Sequence, residues 1–264
     1  MPHVRIDAVD VYFEIEGEGP PLLLLAGLAS DSQSWAPVRP VLAQRFRLIL
    51  PDNRGCGRTT PQDAPISLAR MADDAAALLD HLGVARAHVL GHSMGGLIAA
   101  TFAARHAQRV DRLVLAGACA QANARTRTLM QDLARLRAEP IPRELFFRMM
   151  YPWLFAPPFF ADPNAVAEAA RLSSEYPYPQ SDAAYAAQAA AASGFDAAAL
   201  ATIAAPTLIL CGALDLLFSP EESEASFAAI ANRRTVVLPG AAHSLHWDQP
   251  EAFSTAAAAH LLGL

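Results

Sequence analysis

The most informative segment of this sequence is Leu90-Gly91-His92-Ser93-Met94-Gly95-Gly96. The apolar residues that lead into it predict a buried strand, and the residues from about Met94 to His106 predict a helix. A Gly-x-Ser-x-Gly turn between a strand and a helix strains the serine backbone and lifts the Ser93 hydroxyl clear of the sheet. The Met94 N–H, at the start of the helix, then points to where a negatively charged oxygen would form.

The pattern Gly-x-Ser-x-Gly is weak evidence by itself, because three such positions recur by chance in roughly one chain in ten of this size. A glycine- and serine-containing turn at a helix N-terminus, without any chemical role, is the alternative interpretation. The strand before the turn and the helix after it favour the chemical interpretation. Polar residues elsewhere in the chain must supply the rest of the argument.

Composition limits the classes of protein to be considered. The 264 residues suffice for one large domain, with or without an insertion, and the net charge of −6 without basic clusters argues against a nucleic-acid partner. No apolar run approaches the ~18 residues of a membrane span, and the first residues do not resemble a secretory signal. Three scattered cysteines fit neither a disulfide framework nor a metal pair, so we expect a cytoplasmic protein.

Strands and helices alternate along most of the chain. Residues 4–16 predict an antiparallel hairpin, and the alternation that follows predicts a parallel sheet built from βαβ units. The expected further strands cover residues 22–25, 46–50, 87–90, 112–116, 206–211 and 235–238. The expected helices cover residues 35–44, 68–82, 94–106, 220–231 and 250–262, with Ser67 as an N-cap.

The alternation stops between residues 121 and 200, which we interpret as a helical cap inserted into a core of residues 1–120 and 201–264. Residues 146–160 of this insertion are dense in aromatic residues and prolines. We expect much of this block to be rigid loop, because prolines break helices, and its rings to wall an apolar pocket above Ser93. The alternative is that the rings form the core of the cap.

A nucleophilic serine needs a base, and the base needs a carboxylate to orient it. In a parallel sheet such groups lie on loops beyond the carboxyl ends of the strands. Asp215 follows the strand expected at 206–211, and His243 follows the last strand. The order serine, aspartate, histidine along the chain is that of one class of hydrolases.

These motifs together resemble the α/β-hydrolase fold superfamily, in its branch of small esterases, lactonases and C–C bond hydrolases. The resemblance covers nearly the whole chain outside the insertion. It lies in five segments: Gly91-His92-Ser93-Met94-Gly95, Gly212-Ala213-Leu214-Asp215, Gly240-Ala241-Ala242-His243, Asp248-Gln249-Pro250-Glu251, and Asp52-Asn53-Arg54-Gly55-Cys56-Gly57-Arg58, which resembles the loop after the fourth strand of the family.

The resemblance implies a role for each matching residue. Ser93 would be the nucleophile, His243 the general base and acid, and Asp215 the carboxylate that orients the base. The backbone N–H groups of Leu28 and Met94 would form the oxyanion hole, and no cofactor or metal would be needed. One position departs from the family: Ala26-Gly27 stands where a His-Gly pair is usual, which leaves open what braces this loop.

Each assignment has a competitor. His246 could be the base in place of His243, and Asp248 could be the orienting carboxylate in place of Asp215. His92, beside the serine, is expected to be a packing or pocket-wall residue. The residues expected to wall the substrate pocket are Met150, Trp153, Phe155 and His246.

The expected activity is hydrolysis of a carboxylic ester or lactone of a small apolar substrate through an acyl-enzyme. The same three residues could instead serve C–C bond hydrolysis of a diketone, or perhydrolysis with peroxide. A small-molecule receptor on the same fold is the non-enzymatic alternative. The sequence does not identify the substrate or the oligomeric state.

Overall fold

One eight-stranded sheet runs through the computed structural model, which describes residues 2–264. Its strands are β1 (His3–Ile6), β2 (Val9–Glu16), β3 (Pro21–Leu25), β4 (Arg47–Pro51), β5 (Ala87–His92), β6 (Val110–Ala116), β7 (Thr207–Gly212) and β8 (Arg233–Leu238). Their order across the sheet is β1-β2-β4-β3-β5-β6-β7-β8. Strand β2 is antiparallel to both of its neighbours, and all other pairs are parallel. The expected α/β class with a mostly parallel sheet is confirmed.

Helices connect the strands and cover both faces of the sheet. They are α1 (Arg39–Leu42), α2 (Leu68–His81), α3 (Met94–Arg105), α4 (Ala124–Ala138), α5 (Arg143–Leu154), α6 (Pro163–Ser174), α7 (Asp182–Ser193), α8 (Pro220–Ser226), α9 (Leu245–Asp248) and α10 (Pro250–Leu262). Short 3₁₀ turns lie at Ser32–Trp35, Ala107–Arg109, Pro157–Phe160 and Ala197–Thr202. No helix within residues 2–264 is both long enough and apolar enough to cross a membrane.

The central strands are apolar on both faces because each face packs against helices. Leu23 and Leu25 of β3 lie in the cluster with α2 and α3, whereas Leu22 and Leu24 lie in the cluster with α1 and α10. All four side chains are fully buried or nearly so. Burial of a leucine contributes roughly 1.5–3 kcal/mol, so these strands hold the carboxyl edge of the sheet in a fixed position.

Four helices, α4 to α7, occupy the segment between β6 and β7. The expectation that residues 146–160 would be largely loop is wrong, since α5 continues to Leu154 and Pro157 begins a 3₁₀ turn. Pro152 lies in the last turn of α5, so it removes one helical hydrogen bond and the helix ends two residues later, at Leu154. The division into a core and a cap at residues 121 and 200 stays a prediction.

Two other helices are shorter than expected. The predicted helix at 35–44 is a 3₁₀ turn followed by the four-residue helix α1, with Pro37 between them. Helix α8 ends at Ser226 rather than at residue 231, and the chain then turns so that Phe227 and Ile230 are fully buried. Neither difference moves the loops that follow the strands.

Candidate active site

Ser93 occupies a strained turn between β5 and α3. Its backbone angles are φ 55° and ψ −121°, a conformation that residues with a side chain rarely adopt. A Cβ at Gly91 would lie 2.0 Å from the Gly95 oxygen, and one at Gly95 would lie 2.0 Å from the Leu25 oxygen. The close approach of strand and helix therefore requires glycine at both positions.

The structure brings the three expected side chains together. His243 Nε2 lies 2.9 Å from Ser93 Oγ, and His243 Nδ1 lies 2.9 Å from Asp215 Oδ2. Asp215 Oδ1 accepts hydrogen bonds from the Leu217 and Phe218 N–H groups at 2.8 and 3.0 Å. These backbone bonds fix the carboxylate and leave its other oxygen for the histidine. The geometry is that of a nucleophile, a base and an orienting carboxylate.

The two competing residues take other positions. Both oxygens of Asp248 accept the Ala156 N–H, at 3.1 and 3.2 Å, and Oδ2 also accepts the Ala242 N–H at 2.8 Å. Asp248 therefore ties the loop that carries His243 to the end of α5. The ring of His246 is buried against Trp35 and His92 rather than bonded to Ser93, so the geometry favours His243 as the base.

His92 is a buried neutral residue that supports the loop of His243. Its Nε2 lies 2.9 Å from the His243 carbonyl oxygen, which requires the Nε2–H tautomer as donor. Burial, followed by the nearby His243, lowers the pKa of His92 to about 3. His92 therefore stays uncharged at neutral pH and anchors the backbone of His243.

The expected oxyanion donors are the N–H groups of Met94 and Leu28. Met94 is the first residue of α3, so its N–H has no acceptor within the helix. Leu28 lies on the loop after β3, where a Cβ on Gly27 would come within 3.3 Å of the Ser93 Cβ. Both residues line the space around Ser93, and their role as donors stays a prediction.

The side-chain amides of Asn53 and Gln188 hold the loop after β3, in which Ala26 replaces the histidine that is usual in the family. Asn53 Nδ2 donates to the Ala26 oxygen at 2.9 Å, and Gln188 Oε1 accepts the Ala29 N–H at 3.2 Å. Gln188 also donates to the Arg54 oxygen at 2.9 Å. The loop is therefore held from the sheet side by Asn53 and from the cap side by α7.

Two cavities of about 290 Å³ each meet at Ser93. The first, here called the His243 cavity, lies under the cap and is lined by His243, Phe146, Phe147 and Trp153 among others. The second, the Cys119 cavity, is lined by Met94, Leu97, Cys119 and Phe218 among others. A bound ester could place its two halves on opposite sides of the serine.

All four residues expected in the pocket wall line the His243 cavity: Met150, Trp153, Phe155 and His246. The aromatic block divides between the two interpretations offered for it. Phe159 and Phe160 pack in the cap with Tyr151 and Val166 and do not line this cavity. Contact of the lining residues with a substrate stays a prediction.

Of the three cysteines, Cys119 lines the cavity named after it, whereas Cys56 and Cys211 line neither cavity at Ser93. Cys56, Cys119 and Cys211 are buried free thiols, and burial raises the pKa of Cys211 to about 12. Within residues 2–264, no group of three or more His, Cys, Asp or Glu side chains could hold a metal ion.

Comparison with known proteins agrees with this geometry. Residues 20–250 match the model of the family described as the alpha/beta hydrolase fold. The chain belongs to the α/β-hydrolase family. A relative from Azorhizobium caulinodans, named "Putative carbamate hydrolase RutD", is 31% identical over 256 residues, which are 96% of each chain.

Solved structures of other α/β hydrolases superimpose over nearly the whole chain. The enol-lactonase of Burkholderia xenovorans LB400 gives a TM-score of 0.86 at 26% identity, over 99% of this chain and 100% of that one. A thermophilic esterase from Thermogutta terrifontis gives a TM-score of 0.85 at 28% identity, over 100% and 99%. These neighbours place this α/β hydrolase among hydrolytic enzymes.

The roles of several residues that support the site of this α/β hydrolase are not predicted by the sequence analysis. Gln188 offered a signal, because it is the one polar residue among the alanines of Ala186–Ala192. Asn53 lay inside a recognised motif, but nothing indicated that its partner would be the Ala26 oxygen. The sequence suggests Asp248 only as an alternative carboxylate to orient the base, whereas in the structure it links the Ala242 and Ala156 backbones.

Proposed function

We propose that this chain is a serine hydrolase that cleaves a carboxylic ester or lactone through an acyl-enzyme on Ser93. The observation that carries the proposal is the continuous chain of contacts from Ser93 Oγ through His243 to Asp215, with both distances at 2.9 Å. The glycines of the turn hold this serine where a base can reach it. A purely structural role would not require a serine at a strained position.

The proposed reaction has two halves. Ser93 Oγ attacks the carbonyl carbon while His243 Nε2 takes the hydroxyl proton, and the Leu28 and Met94 N–H groups stabilise the oxyanion. The tetrahedral intermediate collapses, the C–O bond to the alcohol breaks, and His243 returns the proton to the leaving oxygen. Water then attacks the acyl-enzyme by the same route and releases the acid.

Hydrolysis of a carbamate is a second candidate. It is favoured by the relative named as a RutD-type carbamate hydrolase, which aligns over 96% of both chains. A carbamate carbonyl would use the same nucleophile and the same oxyanion hole, so the two candidates differ in substrate rather than in machinery.

A substrate panel with a covalent probe tests the proposal. Purified protein is assayed with p-nitrophenyl esters, small lactones, carbamates and a diketone, and is also treated with an organophosphonate that reacts with activated serines. We expect turnover of esters or lactones, one adduct located on Ser93, and no loss of activity with a metal chelator. Activity without adduct formation on Ser93, or activity lost to chelator and restored by zinc, would contradict the proposal.

A further inference from the structure

One fixed charge faces the otherwise apolar His243 cavity. Arg137 of α4 lines this cavity although only 6% of the residue is exposed. Its neighbours in the wall include Phe146, Phe147 and Met150. Among the described residues that line the cavity, there is no Asp, Glu or Lys, and Arg137 is the only arginine. A buried charge in such surroundings is unfavourable unless a counter-charge compensates it.

The protein satisfies only part of the hydrogen-bonding capacity of Arg137. Its Nη2 donates to the backbone carbonyl oxygen of Gln180 at 2.7 Å, and its guanidinium carbon lies 4.8 Å from the centre of the Tyr185 ring. The Nε atom is buried without a hydrogen bond, and no acceptor within residues 2–264 bonds to Nη1. A guanidinium offers five N–H donors, so the two donors on Nη1 remain available to a ligand.

The charge of Arg137 is only partly balanced. Asp182 Oδ1 lies 3.2 Å from Arg137 Nε, without hydrogen-bond geometry, and 2.6 Å from Arg143 Nη2. One carboxylate is thus shared by two guanidinium groups, and Asp182 itself does not line the His243 cavity. Burial and the nearby Arg143 lower the pKa of Arg137, yet an arginine remains protonated in a protein. The group of Arg137, Asp182 and Arg143 therefore carries a net charge of +1, and Arg137 is the one member of the group that lines the His243 cavity as well as the neighbouring groove.

A structural role alone does not require this arrangement. The bond to the Gln180 oxygen uses one donor, which a neutral amide could supply equally well. The sequence contains another candidate for anion binding, Arg148, but that side chain is exposed and does not line the cavity. Among the described residues, Arg137 is therefore the one arginine or lysine that can meet an anion in this cavity.

We infer that Arg137 binds a free carboxylate of the substrate in the His243 cavity, so that the preferred substrate is a small ester or lactone with an apolar chain ending in a second carboxyl group. The inference rests on the proposed function for the identity of the reacting bond. A planar carboxylate matches the fork of the guanidinium, and a single cation among aromatic rings suits a monoanion on a hydrocarbon chain. The inference departs from the sequence-based expectation of a small apolar substrate, because it adds a negatively charged group to that substrate.

Hydrolysis of such a substrate is balanced by water alone. The acyl C–O bond breaks and water supplies the hydroxyl of the new acid and the proton of the alcohol. If the free carboxylate is on the acyl side, the product is a dicarboxylate. If it is on the alcohol side, the products are an acid and a hydroxy acid.

Matched pairs of esters test the inference in the wild-type enzyme. On the acyl side, the p-nitrophenyl monoesters of glutarate and adipate are compared with the compounds in which the free carboxyl group is methylated and the p-nitrophenyl ester is kept. The uncatalysed rates are subtracted. On the alcohol side, m-carboxyphenyl butyrate is compared with its methyl ester. We expect kcat/KM of the free acid to exceed that of the methyl ester by roughly tenfold or more on one side. A ratio of one or less on both sides overturns the inference.

Two variants assign the preference to a residue. Arg137→Gln is expected to abolish the ratio while the methyl esters are still cleaved, and their cleavage also shows that the variant is folded. Arg143→Gln is the matched control, because Arg143 shares Asp182 but does not line the His243 cavity. A ratio that persists in Arg137→Gln, or that disappears equally in Arg143→Gln, overturns the assignment.

Binding measurements cover the outcomes in which turnover is uninformative. If Arg137→Gln does not fold, glutarate must inhibit wild-type cleavage of a neutral ester at lower concentration than its uncharged diamide, glutaramide, does, and equal inhibition counts against the inference. If no ester is cleaved at all, the serine-hydrolase proposal fails, and calorimetry with glutarate on wild type and Arg137→Gln decides the inference separately. Binding lost in the variant supports it, and binding that is absent or unchanged contradicts it.

Discussion

The three side chains of the proposed triad lie at increasing distance from the reacting bond in the order Ser93, His243 and Asp215. Their replacements should therefore lower kcat by different amounts. Ser93→Ala and His243→Ala remove groups that form or transfer bonds, and each should lower kcat by about 10⁴-fold or more. Asp215→Asn should cost up to about 10⁴-fold but leave measurable activity, because the aspartate orients the base. Steady-state kinetics with a p-nitrophenyl ester measures all three.

His246→Gln is the matched control for the base. His246 is buried beside His92 and lines the cavity, but the ring nitrogen that accepts the hydrogen bond of the Ser93 hydroxyl belongs to His243. Activity in His246→Gln should stay within about tenfold of wild type, provided that the variant unfolds at a similar urea concentration. An inactive but folded His246→Gln together with an active His243→Ala would reverse the assignment.

At the scale of elements, α7 and the loop after β3 are coupled through Gln188. Gln188→Ala removes the acceptor of the Ala29 N–H, next to the Leu28 N–H of the proposed oxyanion hole. We expect kcat to fall roughly tenfold, less than the ~10²–10³ of losing a donor outright, with little change in KM. Stability should fall by about 1–3 kcal/mol, since buried polar groups lose their partners.

Gln180→Ala separates the catalytic effect of this network from its effect on folding. Gln180 donates to the Gly55 oxygen and to Gln188 Oε1, both at about 2.8–2.9 Å, but it makes no hydrogen bond to the loop after β3. We expect a similar loss of stability in urea unfolding with kcat nearly unchanged. Equal losses of kcat in both variants would mean that Gln188 does not position this loop.

Phe155 and Trp153 both line the His243 cavity, but they differ in how strongly they also pack within the cap. Phe155 stacks on Phe159 at 4.4 Å between ring centres, so Phe155→Ala should destabilise the protein by about 2 kcal/mol. Trp153 is half-buried and lines the His243 cavity without an aromatic partner among the described residues. Trp153→Ala should leave stability nearly unchanged.

The readout for Trp153 is its effect on chain-length preference among neutral esters. Each buried CH₂ contributes ~0.8 kcal/mol, about fourfold in kcat/KM, so the wild-type ratio of hexanoate to acetate should fall several-fold in Trp153→Ala. The measurement is kcat/KM across p-nitrophenyl acetate, butyrate and hexanoate, with urea unfolding alongside. A variant that loses stability but keeps the ratio would make Trp153 a packing residue.

At the scale of the whole molecule, the parallel sheet explains which features could be predicted from sequence. Ser93, Asp215 and His243 all follow strands, and parallel strands present their carboxyl ends at one edge, so the motifs sufficed to bring them together. The path of the cap could not be predicted in the same way. Arg137 and Gln188 act through contacts between α4, α7 and loops far away in sequence, and no local pattern encodes such contacts.

Buried neutral histidines make the stability of the whole molecule sensitive to acid. Burial lowers the pKa of His92 to about 3 and that of His260 to about 4, whereas an unfolded histidine titrates near ~6.5. At pH values between the folded and the unfolded pKa, these histidines are protonated in the unfolded chain but not in the native state. The free energy of unfolding should therefore be greatest near neutral pH and fall as the pH drops below about 6.5, by up to about 1.4 kcal/mol per pH unit for each histidine.

His260→Gln isolates one of these contributions far from Ser93. His260 lies in α10, and its Nε2 is 3.1 Å from the Pro206 oxygen, a bond that a glutamine amide can replace. Urea unfolding at several pH values from 7 to 4.5 should show a shallower loss of stability in the variant, because glutamine does not titrate. The difference in slope should approach about 1 kcal/mol per pH unit below pH 6. Parallel curves for the two proteins would show that His260 is protonated equally in both states.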